Sequence, residues 1–192
     1  MLASKYHVYM YDHRGMGYSS DSDKAPSMSQ YAEDAAALMS ALVHERMHVY
    51  GAFMGSSISQ QLAIDHPDQV QKLILDSNTY SLLIPETKVL HSIIETVGGN
   101  TSEPQGLRNE AQANLEWNGS YDGLSGMNTD VMLVVGTEDV LTPDELSLQI
   151  TGQINGSWLV RFKGLPHTGY HQAPVQYGQN ALNFLAMNQS PV

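Results

Sequence analysis

With 192 residues, 42% of them hydrophobic, the chain has the length of one domain, enough apolar material for a core, and too much for a disordered polymer. Its net charge of −11, from 20 acidic against 9 basic residues, repels nucleic acid and anionic membranes, and no basic cluster offsets it. Zero cysteines exclude disulfides, a reactive thiol and cysteine-ligated metal or iron–sulfur sites, and no stretch approaches the roughly 18 to 20 continuous apolar residues of a membrane span.

The amino-terminal Met-Leu-Ala-Ser-Lys-Tyr-His has no apolar run and no small-residue cleavage site, so a cytoplasmic protein is expected. His7 to Tyr11 reads as a first strand, ending in the turn-rich stretch Asp12 to Ser20. Ser29 is placed to cap a helix whose apolar face recurs at Tyr31, Ala35, Leu38, Met39 and Leu42. Val49-Tyr50 begins a second strand, broken by Gly51 and Gly55. Ile58 to Ile64 reads as a helix closed before Pro67, and Val70 to Leu75 as a third strand. Val131 to Val135 and Trp158 to Phe162 are two more strands, with a helix after Pro143 between them. Ala181 to Met187 reads as the end of a closing helix. Strands alternating with helices predict an α/β fold, a mostly parallel sheet flanked by helices. The stretch 78–128 is rich in Gly, Pro and Asn and only partly helical in pattern, over 86–97 and 106–117. The expected organisation is a core of residues 1–77 and 129–192, with 78–128 as a small reduced cap over the carboxyl edge of the sheet.

Three turns that follow predicted strands carry the chemistry. Gly51-Ala52-Phe53-Met54-Gly55 has the spacing of a G-x-S-x-G turn, in which flanking glycines let the backbone pass, but Phe53 stands where serine would. Gly136-Thr-Glu-Asp139 follows one strand and Gly164-Leu-Pro-His167 the next. A carboxylate and an imidazole in the order nucleophile, acid, base is the arrangement of serine hydrolysis: the acid orients the imidazole, which takes the nucleophile's proton.

Asp12-x-Arg14-Gly15-x-Gly17-x-Ser19, Met54-Gly55-x-x-Ile58-x-Gln60, Gly136-x-x-Asp139-x-x-x-Pro143 and His167 together resemble α/β-hydrolase-fold esterases, lactonases and C–C hydrolases. The resemblance implies Asp139 as triad acid, His167 as base, the backbone N–H of Met54 as an oxyanion donor and Phe53 at the nucleophile position. It also implies that the chain begins at the family's fourth strand, lacking the first three and the H-G loop with the second oxyanion donor. The gap beside the strand at Met47 to Tyr50 would be closed by His7 to Tyr11 or by a second copy, a homodimer completing the sheet.

Several alternatives stand beside these assignments. Ser57 could serve as nucleophile on an elbow shifted by four residues, although a helical serine is the simpler identity. His171 competes with His167 for the base. Asp139 and His167 could form a structural ion pair, and Asp12 and Arg14 a brace for neighbouring turns. His44, His48, His66 and His91 show no metal-ligand spacing, so neither metal nor cofactor is expected. The resemblance implies a small-molecule acyl substrate and a carboxylic-ester hydrolase lineage impaired at Phe53. The alternatives are a non-catalytic pseudo-hydrolase that binds a ligand or partner, and a serine-independent His–Asp general base.

Overall fold

The computed structural model describes residues 1–21, 26–42 and 46–187. Four strands form one sheet in the order β1 (Met47–Ala52), β2 (Val70–Asp76), β3 (Asp130–Gly136), β4 (Trp158–Phe162). Every neighbouring pair is parallel, with Leu73 opposite Val131 and Leu133 opposite Leu159. The connections carry helices α1 (Met28–Leu42), α2 (Met54–Asp65), α3 (Lys88–Gly99), α4 (Gln105–Leu115), α5 (Tyr121–Leu124), α6 (Asp144–Gln153) and α7 (Pro174–Leu185).

Alternation of side chains across the pleat sorts the central strands onto two layers. Leu73, Leu75, Val131 and Leu133 pack with Ala32 and Ala36 of α1, Leu62 of α2 and Ile150 of α6. Ile74, Met132 and Val134 face the other way, onto Tyr177, Ala181 and Phe184 of α7. Both faces of β2 and β3 are therefore buried, which is why these strands are nearly continuous apolar runs. The stretch 78–128 folds as α3, α4 and α5, with Trp117 and Ala113 seated on Met28, Tyr31 and Ile58 of α1 and α2. Buried Gln60 fixes this junction: its amide donates to Thr79 O at 3.0 Å, and its Oε1 accepts from Ser120 Oγ at 2.8 Å.

Three expectations change. Residues 7–11 form no strand; Met10 is 91% exposed, and β1 is an edge. A cleft separates Tyr9, Tyr11 and His13 from β1, floored by Leu38, Met39, Leu42, Ile58 and Leu62. With that gap open, the β-prone segment has no ladder to join. Leu42, expected on the core face of α1, is 42% exposed along the same gap. The cap of α1 is also shifted: Ser27 Oγ, not Ser29, accepts the N–H of Gln30 at 3.2 Å.

The turn from β1 to α2 places the centre of the sheet's carboxyl edge. A Cβ on Gly51 would lie 2.3 Å from the carbonyl oxygen of Gly55 and 2.4 Å from Ser59 Oγ, so strand and helix cross here only because residue 51 is glycine. Around Gly55 the same atom would meet nothing within 4 Å, so the second glycine is not demanded by space. Gly51→Ala is expected to cost roughly 2 kcal/mol or more in urea unfolding, as overpacking against backbone does. Gly55→Ala, in the first turn of α2, is expected to be neutral or stabilising by up to about 1 kcal/mol; equal losses at both positions would contradict this geometry.

Candidate active site

Phe53 holds φ 53° and ψ −120° between β1 and α2, one of three non-glycine residues with positive φ among the described residues. Such a backbone costs a side-chain-bearing residue about 1–3 kcal/mol and persists only where its surroundings impose it. Here the Gly51 crossing imposes it from one side, and a hydrogen bond from Phe53 N–H to Asp76 O at 3.0 Å from the other. The turn of a nucleophile elbow is thus intact, with an aromatic ring at its apex. The N–H of Met54, the first residue of α2, belongs to the helix terminus, where backbone donors lack intrahelical acceptors and the dipole favours negative charge.

Asp139 and His167 come together at the ends of β3 and β4. His167 Nδ1 lies 2.8 Å and 3.0 Å from Asp139 Oδ2 and Oδ1, and the aspartate side chain is fully buried. The carboxylate also accepts the N–H groups of Leu141 and Thr142, at 3.0 and 2.9 Å, and the Thr142 hydroxyl at 2.8 Å. Four donors around one buried carboxylate fix its orientation and leave the imidazole with Nδ1 engaged. The two turns are laced together: Glu138 N–H donates to Leu165 O at 3.0 Å, and Gly164 N–H to Thr137 Oγ1 at 2.9 Å.

The Phe53 ring meets the His167 ring edge-on, with centroids 4.9 Å apart. On its other side Phe53 lines a small pocket with Met54, Ser57, Thr79, Leu82, Leu90, Ile94 and Asn114. Ser57 is buried on α2 and faces this pocket; the hydrogen-bonding partners of His167 are Asp139 and Thr142, not Ser57. His171 sits in a short turn at Gly169–His171, its ring against Tyr170 at 4.5 Å, away from the carboxylate. Asp12 closes its own loop by accepting Tyr18 N–H, and Arg14 forms a two-pronged ion pair with Asp34 of α1, so both brace the turn.

Of the remaining histidines, His66 pairs with Glu33, His91 contacts Leu82 O and Glu95, and His48 stands against Tyr6; His44 lies outside the described residues. No group of three or more His, Asp or Glu side chains among the described residues is arranged to hold a metal. Nor is any helix among them long and apolar enough to cross a membrane.

Sequence reading missed Asp76 and Ser77, the two residues at the end of β2. Asp76 is wholly buried, accepting the Tyr50 hydroxyl at 2.7 Å and the Ser77 hydroxyl at 3.1 Å. Ser77, at φ 48°, in turn accepts the N–H of Thr168 at 3.0 Å. Burial pushes the Asp76 carboxyl up to about 6, against the Tyr50 and Ser77 hydrogen bonds and nearby His167, which favour its charge; Asp139 adds to the rise. The available signal was a run Asp-Ser-Asn directly after an apolar strand, at the sheet edge where the other candidates end.

A family model described as alpha/beta hydrolase fold matches residues 2–97. The protein named "Putative carbamate hydrolase RutD" from Caulobacter sp. (strain K31) is 39% identical over 75 residues, 38% of this chain and 28% of that protein. A fluoroacetate dehalogenase from Burkholderia sp. is 39% identical over 82 residues, 40% of this chain and 27% of that one. The chain thus aligns with under a third of the length of either relative. Among solved structures, the alpha/beta hydrolase enzyme MGS-M2 from a Medee basin deep-sea metagenome library superposes with TM-score 0.81 at 15% identity, over 95% of this chain and 80% of that one.

Asp76 also sets a pH dependence. Its folded value is above the unfolded one, so the folded state holds the proton more tightly, and its contribution is greatest below about pH 4 and lost as pH rises through about 6. The change is on the order of 3 kcal/mol. Urea unfolding from pH 4 to 7 is expected to show this decline in the chain and a flatter profile in Asp76→Asn; matching profiles would remove the group from the account.

Proposed function

The chain belongs to the α/β-hydrolase fold family, and on that premise we propose that it descends from hydrolases of small carboxylic esters or related acyl compounds and is catalytically impaired at Phe53. The observation that carries this reading is the conjunction of an intact elbow at Phe53 with the Asp139–His167 pair beside it. In this reading Asp139 holds the imidazole, His167 is the base, and the Met54 N–H stabilises a developing oxyanion. Residues 78–128 act as the cap that closes the acyl pocket.

A phenyl ring has no proton for His167 to take and no lone pair for attack, so the covalent route stops at its first step. The ring also lies against the imidazole edge, filling space that a substrate carbonyl or an attacking water would need. This position argues against a serine-independent general base, and the small volume beside it argues against a bulky ligand. The hydrolase and dehalogenase names of the matched relatives accord with hydrolytic chemistry on small molecules as the ancestral use.

The test is hydrolysis of p-nitrophenyl acetate and butyrate. The chain as written is expected to be indistinguishable from buffer, and Phe53→Ser to gain a rate above it, because the small side chain also opens the pocket. Adding His167→Ala to Phe53→Ser should remove the gain by a factor of about 10² or more. Activity of the unsubstituted chain that depends on His167 would overturn the reading.

A second reading, binding of a partner chain, draws on a different observation: β1 is an open edge facing a mostly apolar cleft. In that reading two copies complete the sheet across β1. Sedimentation velocity is expected to give a dimer that weakens with Val49→Lys; a monomer at every concentration would end it.

A further inference from the structure

We propose that Asp76 is a positioning residue for His167, acting through the Ser77 hydroxyl on the backbone of Thr168. The inference rests on the reading of His167 as the base of this site.

The connection is a chain of two hydrogen bonds. Ser77 Oγ donates to Asp76 Oδ1 at 3.1 Å and accepts the N–H of Thr168, the residue after His167, at 3.0 Å. Both joined residues hold left-handed backbones, Ser77 at φ 48° and Thr168 at φ 52°. Neither is glycine, so neither turn is favoured locally and each depends on its tertiary bonds. Ser77 N–H is anchored on Val134 O of β3 at 3.0 Å, and the carbonyl of Asp76 receives Phe53 N–H at the same distance. One dipeptide at the tip of β2 therefore fixes the apex of the elbow, the end of β3 and the loop carrying the imidazole.

The carboxylate decides which way the serine hydroxyl points. A hydroxyl has one hydrogen, and when ionised Asp76 accepts it, both lone pairs remain for the Thr168 N–H. A proton on Asp76 Oδ1 becomes a competing donor to the same oxygen and displaces the serine hydrogen from its acceptor. The Thr168 N–H then keeps one lone pair of an oxygen whose own hydrogen has turned away from the carboxylate. Tyr50 from β1 donates to Asp76 Oδ2 at 2.7 Å, holding the carboxylate's other oxygen. The other titratable groups that sense this carboxylate are His167, Asp139 in the turn after β3, Tyr170 in the short turn beyond His167, and Tyr177 of α7. Asp76 titrates near 6, so this rearrangement falls within a range that can be scanned without acid unfolding.

The experiment is an amide NMR titration of the chain as written, following the Thr168 N–H from pH 5 to 8, with hydrogen exchange at each end. The Thr168 resonance is expected to move with a midpoint near 6, and to do so still in His167→Gln, which removes the neighbouring imidazole's own titration. Asp76→Asn should abolish the movement in that His167→Gln background and speed Thr168 exchange about tenfold, the loss of roughly one hydrogen bond. Ser77→Ala should reproduce the faster exchange, and Ser77→Thr should restore the slow one. A Thr168 titration that survives Asp76→Asn, or vanishes with His167→Gln alone, overturns the proposal. If Asp76→Asn does not fold, the Ser77→Ala and Ser77→Thr pair decides it, since equal exchange in the two would also overturn it. None of these readouts depends on ester turnover by Phe53→Ser, so failure there and failure here are separable.

Discussion

The turn at Phe53 is the constraint around which this molecule is arranged. A parallel strand must reverse into a helix within two residues while the two elements cross at backbone contact, and that is possible only because residue 51 lacks a side chain. The crossing forces positive φ on the next apex residue whatever its identity. The turn therefore needs no particular side chain at its apex, because its conformation is set by packing and by the bond from Phe53 N–H to Asp76 O.

Around that turn the parallel sheet does the gathering. With β1, β2, β3 and β4 all running the same way, Phe53, Asp76, Asp139 and His167 emerge at one edge although more than a hundred residues separate the first from the last. Each strand end is then tied laterally: Asp76 to Tyr50, Ser77 to Val134 and Thr168, Glu138 to Leu165. These bonds connect neighbouring tips rather than tips to helices, so the edge behaves as one polar layer above an apolar sheet. Burial makes the layer sensitive to its charges. An uncompensated carboxylate there is costly, which is why Asp139 has four donors and why Asp76, with two, holds its proton more readily than a surface aspartate.

The opposite flank is less complete. Beside β1 the run from His7 to Tyr11 keeps the composition of a strand but has no ladder, and the cleft between them is lined by the apolar faces of α1 and α2. The histidine and tyrosine rings there stack on one another, as His7 does on Tyr9 at 4.5 Å, instead of on a neighbouring strand. Stability is therefore concentrated at β2 and β3, whose residues are buried on both faces, and falls away toward β1.

Much of this was legible in the chain itself. The apolar runs of β2 and β3, the helices between them, and the placing of Phe53, Asp139 and His167 just after apolar runs are local patterns, and local patterns survive folding when the core confirms them. The parallel sheet and its family followed from their order. Other features had no local signature. Residues 7–11 carry strand composition, yet pairing is a property of two segments, and the sequence cannot display the width of a gap. Ser27 rather than Ser29 caps α1 because the register of the buried face decides where the first turn begins. Above all, Asp76 and Ser77 looked like the start of a loop. Their role at the meeting point of three strand tips exists only once the sheet has brought Tyr50, Val134 and Thr168 to the same place, because a buried carboxylate takes its properties from neighbours that are distant in the chain.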